Sequence, residues 1–101
     1  MEFLVQFDLD IPDGVARPEV EDREKAEAVA AEALAEEGHL VRLWRASVGT
    51  DRTTVVGLYR AGSRAELESL LAALPLYEWM HTFITPLVQH PNDPAGIRAT
   101  S

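Results

Sequence analysis

The 101 residues suit one domain with one core, and a hydrophobic content of 47% separates the chain from disordered sequences. A formal net charge of −8 argues against a nucleic-acid partner, because phosphate binding needs a basic surface. The absence of cysteine removes disulfides, thiolate nucleophiles and cysteine-ligated zinc together.

Residues 2–10 alternate as a strand with one buried face, carrying Phe3, Val5, Phe7 and Leu9. Glu2 and the polar residues that follow it break any signal-peptide pattern, and no apolar run approaches the ~20 residues of a membrane span. A cytoplasmic protein with no membrane contact is expected. Ile11-Pro12-Asp13-Gly14 ends the strand.

Pro18 and the acids Glu19, Glu21 and Asp22 open a helix that runs from Arg17 to Glu36. Its inner stripe is expected to hold Val20, Ala26 or Glu27, Ala30, Ala33 and Leu34. The alanines let the helix lie close to a sheet, and Glu27 falls near the buried stripe. Gly38 supplies the left-handed residue that stops the helix.

A second strand spans 40–47. Strict alternation puts Leu40, Arg42 and Trp44 on one side and Val41, Leu43 and Arg45 on the other. Each side mixes arginine with large apolar groups, so both faces are expected to be covered. Gly49–Arg52 reads as a hairpin turn, and Thr53–Tyr59 as a third strand rich in β-branched residues. Ser63-Arg64-Ala65-Glu66 has the capping-box pattern and begins a second helix carrying Leu67, Leu70, Leu71 and Leu74. Pro75 ends it.

Residues 76–80 form an aromatic-rich loop, and 81–90 a fourth strand in which Pro86 marks an edge position or a bulge. Residues 1–91 form the domain and 92–101 a tail. The order strand, helix, strand, strand, helix, strand is the ferredoxin-like βαββαβ pattern of an α+β protein. It predicts a four-stranded antiparallel sheet with both helices on one face. The bare face then packs on a second copy, which makes a homo-oligomer.

Four blocks together point further: Glu37-Gly38, Leu43-Trp44-Arg45, Leu74-Pro75-Leu76-Tyr77 with Met80, and His90-Pro91. In this order and spacing they resemble the muconolactone Δ-isomerase family over roughly residues 1–91. The resemblance implies a dimeric α+β barrel, often assembled as a decamer of five dimers, with its active site at the subunit interface. It implies no metal or organic cofactor, and isomerisation of muconolactone, a small unsaturated lactone acid, in aromatic catabolism.

The family's proton-carrying glutamate matches Glu27. The lysine three residues earlier is not matched, and Glu24 stands there with Arg23 and Lys25 beside it. Arg23, one turn from Glu27, is the candidate substitute. Arg45 and Trp44, from the matched strand block, and His90, from the last block, are candidate substrate contacts. So is Trp79. The bland reading of each is packing, a surface ion pair or, for His90, fixing the last strand.

The chemistry needs one carboxylate in a dry pocket, a donor for the dienolate oxygen and a cation for the substrate carboxylate. His39, His81 and His90 lack metal-ligand spacing, and no phosphate loop or nucleophile motif occurs. The alternative function is a non-catalytic or differently specialised barrel that binds a small organic acid.

Overall fold

The computed structural model describes residues 1–48 and 52–95; the expected turn residues 49–51 and the tail beyond 95 lie outside them. The elements are β1 (Glu2–Leu9), α1 (Arg17–Glu36), β2 (Leu40–Val48), β3 (Arg52–Arg60), α2 (Arg64–Ala72) and β4 (Met80–Leu87), with a short 3-10 turn at Tyr77–Trp79. The four strands pair antiparallel in the order β2-β3-β1-β4. This is the ferredoxin-like arrangement that the element order predicts. Pro86 falls on the edge strand β4, where its missing donor costs no ladder bond on the open side. The strand stops at Leu87 rather than running to 90.

Local chemistry explains the element ends. α1 closes in a Schellman motif, with the Gly38 N–H donating to the Ala35 carbonyl at 3.1 Å and the His39 N–H to the Leu34 carbonyl at 2.9 Å. Gly38 holds φ +83, a region that penalises a Cβ. At the other helix the Ser63 hydroxyl accepts the Glu66 N–H at 3.1 Å, one half of the expected capping box.

The register sorts the side chains into two faces. Phe7 pairs with Val55 and Val55 with Arg45; Val5 pairs with Gly57 and Gly57 with Leu43; Phe3 pairs with Tyr59 and Tyr59 with Leu40. Phe3, Val5 and Tyr59 are buried with Leu67 and Leu71 of α2 and with Leu74, so these rows face the helices. Leu74 lies just past the helix, because α2 stops at Ala72 rather than at Pro75. The second strand departs from strict alternation. A β-bulge between Leu40 and Arg42 sets two residues against one and returns Leu40 to the same face as Leu43.

The opposite face carries Leu4, Val56, Leu58, Trp44 and Phe83. Within one chain it is uncovered: Phe83 is 57% exposed and Trp44 41%. The expected cover on both sides of β2 is therefore not supplied by this chain's own elements. β2 is an edge strand, and Val41 and Leu43 are also exposed.

The helix stripe is also corrected. Leu34 is buried, and Val20, Arg23, Glu27, Ala30 and Ala31 are half-buried, whereas Ala26 and Ala33 face solvent. The spacing of three and four residues from Arg23 through Glu27 to Leu34 is what sets this face.

Gly57 couples the sheet to what lies above it. A Cβ there would come within 2.5 Å of Tyr59 Cε1 and 3.2 Å of Leu43 Cδ1. Tyr59 is only 3% exposed and packed against Phe3 and Phe7, so its ring can yield only by disturbing core contacts. Gly57→Ala is expected to destabilise the fold by about 1–3 kcal/mol through overpacking, read as a lower urea midpoint.

Candidate functional site

A cavity of about 310 Å³ opens between α1, the helix-facing side of β2 and β3, and the segment after α2. It exists because α1 presents Ala28 and Ala31 where larger side chains would close the gap to Leu43 and Val55. Phe7, Leu34, Leu74 and Met80 make the rest of it largely apolar. Two acids of α1, Glu24 and Glu27, also line it, and no lysine or arginine is among its described lining residues.

Glu27 is half-buried, and its Oε1 accepts the N–H of Leu76 at 3.0 Å. Loss of water raises its pKa above the ordinary 4.5, against the smaller opposing effect of the Leu76 hydrogen bond. Tyr59, on the cavity wall, has its phenol pKa pushed upward by burial and, second, by the negative charge of Glu27. The phenol therefore stays a neutral O–H donor throughout the physiological range. A carboxylate poised above its usual pKa and a neutral donor thus share one apolar space.

The other expected site residues are distributed differently. Arg23 lies under the segment after α2. It ion-pairs with Glu78 and, at 3.5 Å, with Glu19, donates to the Pro75 carbonyl at 3.4 Å, and stacks 4.1 Å over the Trp79 ring. Trp79 is buried and forms the floor of this cluster rather than the cavity wall.

Arg45 is exposed on the helix-facing side of β2, opposite the cavity residue Val55. Trp44 is on the far face, with the Arg42 guanidinium 5.0 Å from its ring. His90 lies beyond β4, where its Nδ1 accepts the Asn92 N–H at 2.9 Å. Of the expected site residues the cavity holds Glu27, while Arg45 stands on the same sheet face beside its lining residue Val55 without lining it. The cavity leaves out Arg23, Trp44, Trp79 and His90 within one chain. Glu24, at the position of the unmatched lysine, does line it.

Two groups escape the sequence reading: the Tyr59 hydroxyl and the Leu76 N–H. A glycine inside a strand signals close approach of something bulky, so Gly57 is the mark that could have drawn attention to Tyr59. The Leu76 N–H has no comparable signal, since a backbone donor carries no residue type.

Comparison with known proteins gives the lineage of the chain. The model of the family described as muconolactone delta-isomerase matches residues 1–93. The chain is 33% identical over 92 residues to the muconolactone Delta-isomerase of Cupriavidus pinatubonensis (strain JMP 134 / LMG 1197), covering 91% of this chain and 97% of that protein. It is 37% identical over 95 residues to muconolactone Delta-isomerase 1 of Acinetobacter lwoffii, covering 91% and 93%.

The crystal structure of a muconolactone isomerase superposes with a TM-score of 0.80 at 24% identity, covering 93% of this chain and 95% of that one. A 5-chloro-2-hydroxyhydroquinone dehydrochlorinase of Burkholderia phenoliruptrix, solved with 2,5-dihydroxybenzoquinone, superposes with a TM-score of 0.62 at 20% identity, covering 89% and 96%. These two likenesses carry the fold. The family match over nearly the whole chain carries the lineage: this protein belongs to the muconolactone Δ-isomerase family.

Proposed function

We propose that this chain is an isomerase that shifts a proton within a small unsaturated lactone acid of the muconolactone type, in aromatic catabolism, with Glu27 as the proton carrier. The observation that carries the reading is the Glu27 carboxylate, half-buried in an apolar cavity of substrate size beside a neutral phenol.

The chemistry follows from those groups. Glu27 removes a proton from a carbon acidified by the conjugated lactone carbonyl, so a C–H bond breaks and a carboxyl O–H forms. The electron pair moves into the dienolate. Tyr59 donates a hydrogen bond to the oxygen where negative charge gathers. Glu27 then returns the proton to another carbon of the same conjugated system. Atoms and electrons balance, and the carboxylate is restored. The raised pKa of Glu27 makes it the stronger base for the first half, and the basicity of the dienolate carbon draws the proton back in the second. Arg45, on the same sheet face, is the cation for the substrate carboxylate.

The test is incubation with candidate lactones in deuterated water. Deuterium entering the carbon next to the carbonyl supports the reading, and its absence from every lactone together with no product removes it. A rival reading draws on Glu24, which places a second carboxylate where an anionic substrate would sit. In it the protein is a differently specialised barrel that binds a small organic acid without turnover, and no deuterium enters.

The uncovered sheet face belongs to the same proposal. Leu4, Trp44, Phe83 and Leu87 are 36%, 41%, 57% and 40% exposed, and a second copy of the chain covers them in a cytoplasmic homodimer. Phe83→Asp places a charge in that contact and is expected to shift the protein to monomers in analytical ultracentrifugation, whereas an unchanged mass moves the contact elsewhere.

A further inference from the structure

The peptide group joining Pro75 to Leu76 is gripped at both ends by α1. Its carbonyl accepts from the Arg23 guanidinium at 3.4 Å, and its N–H donates to Glu27 Oε1 at 3.0 Å. Arg23 and Glu27 are one helical turn apart, so both side chains reach the same peptide from one face. Glu19 and Glu78 hold the guanidinium from either side, and Trp79 lies beneath it.

The segment's remaining backbone bonds are made within it or to the end of β1, where the Asp10 N–H donates to the Trp79 carbonyl at 2.6 Å. Leu74 donates to the Leu71 carbonyl at 3.0 Å, Tyr77 to the Leu74 carbonyl at 3.0 Å and Trp79 to the Leu76 carbonyl at 2.9 Å. These bonds shape the turn but do not tie it to α1.

We propose that Arg23 is a positioning residue for Glu27, acting through the Pro75–Leu76 peptide rather than by touching substrate. Its cation fixes the carbonyl end of that peptide, which aims the N–H at the opposite end onto the carboxylate. It also draws electron density toward the carbonyl oxygen, which makes the N–H a stronger donor. The Leu76 bond favours the ionised carboxylate and opposes the effect of burial. Arg23 thereby limits how far the site raises the Glu27 pKa. The other titratable groups lining the cavity with Glu27 are Tyr59 on β3, whose raised phenol pKa keeps it neutral, and Glu24 on α1.

This inference rests on the reading of Glu27 as the proton carrier, but its test does not use turnover. The carboxyl of Glu27 is titrated by carbon-13 NMR, and exchange of the Leu76 amide is followed, in the wild type, Arg23→Gln and Arg23→Lys. In Arg23→Gln the Leu76 amide is expected to exchange at least about tenfold faster, because a hydrogen bond to a charged group has been removed. The Glu27 midpoint is expected to rise.

Arg23→Lys keeps the charge but cannot bridge the Pro75 carbonyl and the Glu78 carboxylate in one plane, so amide protection returns only in part. Unchanged Leu76 protection in Arg23→Gln overturns the proposal. So does a moved midpoint with full protection, since charge acting through space would then be enough. If Arg23→Gln fails to fold, Glu78→Gln releases one anchor of the guanidinium at an exposed position, and a smaller change in the same direction is expected. Failure of the reading of Glu27 as the proton carrier would show separately, as undiminished turnover by Glu27→Gln.

Discussion

Glu27→Gln is expected to lower turnover of an unsaturated lactone acid by at least about a hundredfold, or roughly 2.7 kcal/mol of transition-state stabilisation. The substitution is nearly isosteric. The amide oxygen of glutamine still accepts the Leu76 N–H, so the segment after α2 stays in place. What is lost is the ability to take and return a proton. Substrate binding should change far less than kcat, because the cavity is mostly apolar and keeps its shape.

In the wild type kcat/KM should climb with pH through the raised Glu27 pKa, at a pH above the ordinary carboxylate value of 4.5, because only the ionised form accepts the proton. The variant should show no such limb.

The same residue has a stability signature of known sign. The folded chain holds the Glu27 proton more tightly than the unfolded chain does, because burial raises the pKa. Between the unfolded pKa of 4.5 and the folded value, the folded state carries more protons, so stability falls as pH rises. Glu27→Gln cannot ionise and escapes this loss. Its Tm should match the wild type at about pH 4 and exceed it at about pH 8. A variant that is inactive yet more stable at neutral pH is what a carboxylate held for chemistry produces. A variant less stable at every pH would make Glu27 a structural residue.

The fold could be read from the chain because its signals are local. Hydrophobic alternation in β1, Gly38 after α1 and Ser63 before α2 each dictate one conformation within a few residues. The bulge in β2 was different. Nothing in Leu40-Val41-Arg42 announces that two residues will face one, since pairing with Tyr59 and Leu58 on β3 decides it. The consequence reaches function, because Leu40 then joins Leu43 on the cavity side and Trp44 stays with Arg42 on the far side.

The candidate site divides along the same line. Glu27 was legible, since its spacing to Leu34 places it on the helix's inner face. The Arg23 cluster was not, because its partners Pro75 and Glu78 lie 52 and 55 positions away in the chain. Only the return of the chain after α2 brings them together.

Phe3→Ala is expected to cost about 3–5 kcal/mol, the usual range for emptying a core phenylalanine site. Phe3 is 1% exposed at the centre of the sheet, paired with Tyr59 on one side and Pro86 on the other. Its neighbours Leu67 and Leu71 are held by α2 and cannot collapse fully into the space. A chain of this size has about 5–15 kcal/mol in all, so the loss is a large share. It should lower the Tm by more than about 10 °C at fixed protein concentration.

Phe3→Leu should recover more than half of that, because it refills most of the volume. Phe3 does not line the cavity. Molecules of Phe3→Ala that remain folded at low temperature should therefore turn over substrate at close to the wild-type kcat. A fall in kcat as large as in Glu27→Gln would mean that the cavity is not separate from the core beneath α2. The opposite pairing, stability lost with kcat kept for Phe3 and kcat lost with stability kept for Glu27, separates the scaffold from the site it carries.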